Sequence, residues 1–103
     1  MAGKTKKSSE RGVRVKYKLK EPSFYKVIML NDDVTPMDFV VMLLVEHFGY
    51  EHGAAVDTML KVHNEGKAVI ARYPYDIAVT KKRKCIELAR KAGYPFDLKV
   101  EAE

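Results

Sequence analysis

The stretch SFYKVIMLNDDVTPMDFVVMLLVEHFG, residues 23–49, decides the fold. Its first eight residues are aromatic and β-branched, contain no Gly or internal Pro, and predict a strand. Asn31 to Val34 predict a turn. Thr35 is followed by Pro36 and, three positions on, by Asp38, which predicts an N-cap, a proline at the first helical position and a capping-box acid. Phe39, Val40, Leu43, Leu44 and Phe48 then recur at helical spacing until Gly49 stops the run. A strand is thus delivered into a helix through a polar turn, and the rest of the chain must supply partners for both.

Downstream, a second helix is expected from Glu51 to Glu65, with Val56, Met59, Leu60, Val62 and His63 at spacings of three and four and Gly66 as its stop. AVIARYPY, residues 68–75, predicts a second strand with Pro74 at an edge or at its end. A third helix is expected from Ile77 to Ala92, with Ala78, Cys85, Leu88, Ala89 and Ala92 inward and the run Lys81, Lys82, Arg83, Lys84 outward. Pro95 to Val100 predicts a short third strand. The order β-α-α-β-α-β predicts an α+β fold, with three helices packed on one face of a small three-stranded antiparallel sheet.

With 103 residues, 47% of them hydrophobic, the chain suffices for one domain. No run approaches the roughly 18 apolar residues of a membrane span, and MAGKTKKSSERG lacks the apolar segment of a secretory signal, so a cytoplasmic protein is expected. Cys85 is the single cysteine, which excludes an internal disulfide and a paired-cysteine metal or redox motif. The net charge is +5. Residues 1–21 hold eight Lys and Arg against two Glu, which leaves 11 basic and 12 acidic residues for positions 22–103. A flexible basic extension over 1–21 is therefore expected ahead of a nearly neutral core domain over 22–103.

Three constellations carry chemistry. Asn31, Asp32 and Asp33 either serve the turn and the helix N-terminus or hold a cation, since Thr35 and Asp38 already suffice for the cap and two adjacent carboxylates repel. His63 shares a helix face with Met59 and Val62, either as a structural side chain or as a ligand. A metal site from Asp32, Asp33 and His63 is conceivable, but no H-x-x-x-H pair accompanies it. The basic run wraps all round its helix, which fits solvated surface first and, together with the basic extension, a module that binds nucleic acid or an acidic partner second. No nucleophile elbow, Cys–His pair or phosphate loop occurs, so catalysis is not expected.

Taken together, YKVIMLNDDVTPMDFVVMLL, AVDTMLKVHNEGKAV, the following IAVTK and the late YPF resemble the ClpS family, the adaptor proteins of the ATP-dependent Clp protease, over residues 22 to about 100. The resemblance implies an N-end rule adaptor that recognises destabilising amino-terminal residues and hands their owners to a hexameric AAA+ unfoldase. It implies binding of a free α-amino group by Asn31, Asp32, Asp33, Thr35 and His63. It also implies a hydrophobic pocket of Met37, Val40, Met59, Val62 and Phe96 for Phe, Tyr, Trp or Leu, with Met37 as gatekeeper against β-branched first residues. The edge formed by Tyr75, Asp76, Thr80 and Lys81 resembles the family's unfoldase-docking edge. The expected partners are therefore the unfoldase's amino-terminal domain and N-degron peptides. A monomer is expected, with no cofactor, metal, nucleic acid or membrane. At Phe96, where many members have Leu or another aliphatic residue, at Val34 and in the KKRK run the chain departs from the family's pattern.

Overall fold

Val27 and Met29 enter the core from β1 (Phe24–Leu30), the centre strand of a three-stranded sheet. The computed structural model describes residues 23–103; the basic extension expected over 1–21 lies outside the described residues. After β1 come α1 (Met37–Phe48), α2 (His52–Glu65), β2 (Lys67–Pro74), α3 (Tyr75–Lys91) and β3 (Leu98–Ala102), the predicted β-α-α-β-α-β order. The strands run β2-β1-β3 and both pairings are antiparallel. β2 is registered from Phe24↔Pro74 to Leu30↔Lys67 with an irregularity between Val27 and Ile28, and β3 from Tyr25↔Ala102 to Met29↔Leu98.

Leu43 and Leu44 of α1, Ala55, Met59 and Val62 of α2, and Ala78, Cys85 and Ala89 of α3 meet Val27, Met29, Ala68, Ile70, Phe96 and Leu98 in one core. The inner stripe of α3 consists of small residues, which lets this helix lie against all three strands. Leu88 and Ala92, expected inward, are exposed instead, because the spacing Ala78, Cys85, Ala89 defines a narrower stripe than the sequence pattern suggested.

Three expected boundaries shift. α1 begins at Met37 and its N-cap is Pro36, with no side-chain cap bond, because the Thr35 hydroxyl is turned away to Asp32. α3 begins two residues early, at Tyr75, since Pro74 with its fixed φ of −55° already sits at the cap. The third strand is Leu98–Ala102 rather than Pro95–Val100, as the carbonyl oxygens of Tyr94 and Phe96 are taken by Arg90 and Leu30 N–H reaches Asp97 O before regular pairing starts.

Candidate functional site

The segment after β1 is held by its own first carboxylate. Asp32 Oδ1 accepts the N–H of Val34 at 2.9 Å and of Thr35 at 2.7 Å, while Oδ2 accepts the Thr35 hydroxyl at 2.8 Å. Burial opposes ionisation of Asp32, yet these bonds, from Thr35 first and then Val34, together with the positive charge of Arg90, hold its carboxyl below the usual carboxylate range. Both oxygens of Asp32 are therefore engaged within the loop. Among the described residues, the side chains of Asn31 and Asp33 on either side form no hydrogen bond, and both are exposed.

A second tie sets the loop against α2. The N–H of Asn31 donates to Gly66 O at 2.9 Å, and Gly66 itself, at φ 91°, donates to Val62 O at 2.8 Å to close the helix. Only glycine adopts that left-handed conformation without strain. His63 lies in the last turn of α2, so the Gly66 cap positions it beside the Asn31–Asp33 segment.

The result is a cavity of about 270 Å³ at the end of β1, between the loop, α1 and α2. All ten residues expected at the amine site and the pocket line it: Asn31, Asp32, Asp33, Thr35 and His63 on the polar side, Met37, Val40, Met59, Val62 and Phe96 on the apolar side. Met37 is 47% exposed, whereas Met59, Val62 and Phe96 are buried, at 8%, 3% and 1%. The cavity is thus apolar in depth, with its polar lining on an exposed loop and helix end. Among the described residues no group of three or more His, Cys, Asp or Glu side chains is arranged to hold a metal ion, so Asp32, Asp33 and His63 do not converge as a ligand set.

Sequence reasoning missed Met29, Leu30, Val34 and Pro36 as lining residues, although their places beside and between the expected residues pointed to them. It also missed Arg90. That guanidinium donates through Nη1 to Tyr94 O at 2.8 Å and to Phe96 O at 2.9 Å, pinning the segment that carries the Phe96 ring. Its partners are carbonyl groups, which leave no mark in a sequence.

Of the four residues at the expected docking edge, Asp76, Thr80 and Lys81 line a shallow groove with Glu46 and His47, while Tyr75 points into a different one, with Val79, Ile86 and Val100. Lys81 Nζ donates to His47 O at 2.7 Å, one of the last carbonyls of α1, and lies 5.8 Å from the Tyr73 ring centre. The basic run is thus partly structural: Lys81 and Lys82 are half-buried, Arg83 and Lys84 exposed. No helix among the described residues is long and apolar enough to cross a membrane.

Comparison with known proteins matches the same span. The adaptor of Herminiimonas arsenicoxydans, an ATP-dependent Clp protease adapter protein ClpS, is 48% identical over 89 residues, 86% of this chain and 87% of the relative. That of Paraburkholderia xenovorans is 49% identical over 88 residues, 85% of each. A solved structure of Agrobacterium tumefaciens ClpS2 bound to L-phenylalaninamide superposes with a TM-score of 0.78 at 36% identity, covering 81% of this chain and 100% of that one. The profile of the ATP-dependent Clp protease adaptor protein ClpS matches residues 20–100, and the chain belongs to the ClpS family.

Proposed function

We propose that this adaptor recognises proteins by a free α-amino group followed by a bulky apolar first residue, Phe, Tyr, Trp or Leu, and delivers them to a Clp AAA+ unfoldase for ATP-dependent proteolysis. The observation that carries the reading is the lining of one cavity by an acceptor cluster and an apolar well together. A protonated α-amine brings three N–H donors and a positive charge. Asn31 and Asp33 offer side-chain oxygens and His63 a ring nitrogen, and charge-assisted bonds of this kind contribute about 1.5–3 kcal/mol each. Asp32 and Thr35 act one step behind them, by holding the loop. Burying a Phe or Leu side chain against Met59, Val62 and Phe96 adds about 1.5–3 kcal/mol. L-phenylalaninamide, the ligand of the Agrobacterium protein, has this chemistry: an amine, a benzyl side chain and no carboxylate. No bond is made or broken in such a site, so the role is binding and transfer.

Delivery assigns the first two turns of α3, with Tyr75, Asp76, Thr80 and Lys81, to the unfoldase, and the basic extension over 1–21 to engagement of the same machine. The test of recognition is fluorescence anisotropy with a Phe-initiated peptide and its acetylated twin. Acetylation removes the charge and two donors, and affinity should fall by at least about a hundredfold if two charge-assisted bonds are lost. Equal binding of the two peptides refutes the proposal.

A further inference from the structure

We infer that the groove between α1 and α2 is a second subsite, one that receives apolar side chains from residues two to five of the peptide whose first residue fills the cavity. The inference rests on the function proposed above and extends it to a further part of the substrate. Met37, Val41 and Val45 recur every fourth residue along α1, Val56 and Met59 line the groove from α2, and Met42 lies beside them, around a volume of about 470 Å³. Two of these residues, Met37 and Met59, also line the amine-binding cavity. Cavity and groove are therefore neighbours along one apolar track, with half-exposed Met37 on the wall that they share.

The dimensions suit an extended chain. Met37 to Val45 spans eight residues of helix, about 12 Å, which an extended peptide covers in about four residues at ~3.3 Å each. Side chains alternate, so residues two and four of the peptide turn to the same side. The methionines give the track adaptability, because a flexible thioether refits to differently shaped partners. Asp38 and Glu46 flank the apolar floor on α1, and a Lys or Arg on the solvent side of the peptide complements them. Adjacency selects the occupant. A peptide that leaves the cavity past Met37 runs over this groove, and another partner seated there competes with substrate.

The test separates the first residue from the rest. L-phenylalaninamide, Phe-Leu-Gly-Leu-Gly-Lys and Phe-Ser-Gly-Ser-Gly-Lys are titrated against the full chain, Val45→Arg, Val56→Arg and the nearly isosteric Val41→Thr. The Leu peptide should bind the unaltered chain about fivefold tighter than the Ser peptide, as expected when one or two side chains are partly buried. Both Arg variants should bring that ratio close to one, Val41→Thr should lower it, and all three should bind L-phenylalaninamide with unchanged affinity, which also shows that they fold. A ratio near one in the unaltered chain overturns the inference, as does a ratio that survives all three variants. So does loss of reporter degradation, or of self-association, in an Arg variant whose ratio is intact, because the groove then serves another partner. Failure of L-phenylalaninamide to bind the unaltered chain overturns the underlying function instead, and the subsite falls with it.

Discussion

Thr35 bonds to Asp32 twice, through its N–H to Oδ1 and through its hydroxyl to Oδ2. This pair marks Asp32 as the residue that shapes the loop, and on the function proposed above the amine then falls to Asn31, Asp33 and His63. Asp32→Asn keeps an oxygen for the two N–H donors and places an NH₂ against the hydroxyl, so peptide affinity should stay within about threefold. Asp32→Ala strands all three donors and should lose about tenfold or more. Should Asp32→Asn prove as damaging as Asp32→Ala while Asp33→Asn is harmless, the roles of the two acids are exchanged.

The same bonds set a pH dependence. The folded carboxyl of Asp32 lies below its ordinary value, so its stabilising contribution is complete above the usual carboxylate range and fades as the pH falls through the lower folded value. Melting temperatures of the unaltered chain and Asp32→Asn, compared from pH 6 down to pH 3, should differ most at the upper end and converge at the lower. A gap that widens toward acid is the wrong sign for this account.

Gly66 ties the end of α2 to the loop after β1. A methyl added there meets nothing within 4 Å, so the cost of Gly66→Ala is backbone strain at φ 91° alone. It should amount to about 1 kcal/mol. Because Gly66 O holds the Asn31 N–H, peptide affinity should fall as well, and calorimetric unfolding beside a peptide titration reads both. An affinity unchanged in the face of lost stability breaks the proposed link between the helix end and the loop.

Phe96 fills the floor of the cavity at 1% exposure. Phe96→Leu should deepen the well, raise the ratio of Trp- to Leu-initiated peptide affinity by about fivefold, and cost about 1–2 kcal/mol of stability. An unchanged ratio across matched titrations places the ring's face elsewhere.

These outcomes bear unequally on what the sequence could tell. The strand, turn and helix around Asn31 were legible because period and turn chemistry agree there, and β1 and α2 begin and end within about a residue of expectation. Thr35 misled because Ser, Thr and Asp carry two local vocabularies, the helix cap and the loop of hydrogen-bonded side chains, and only geometry shows that Asp32 claims the hydroxyl. The cavity's lining was legible through family resemblance, since its residues come from three separated segments. Arg90 was not, and neither was the late start of β3 that its bonds to Tyr94 and Phe96 impose.

Cys85, fully buried in the core, has a thiol pushed up to about 11 by burial, against the opposing charge of Lys81. At pH 8 a thiol of that pKa holds about a hundredth of the thiolate of one at 9, so labelling of the folded protein by a disulfide reagent should be at least about a hundredfold slower than that of free cysteine. Addition of denaturant should abolish the difference. Rapid labelling of the native protein at the free-thiol rate means that α3 opens far more often than its packing implies.

α3 holds Asp76, Thr80 and Lys81 in its first two turns and Arg90, the clamp on the Phe96 segment, in its last. The two ends stand about 21 Å apart on one continuous helix. Any allosteric coupling along it is bound by reciprocity: the factor by which a peptide in the cavity alters affinity for the unfoldase is the factor by which the unfoldase alters affinity for the peptide. An adaptor that grips its cargo more firmly in the assembled complex than alone is therefore one whose cargo helped to assemble that complex.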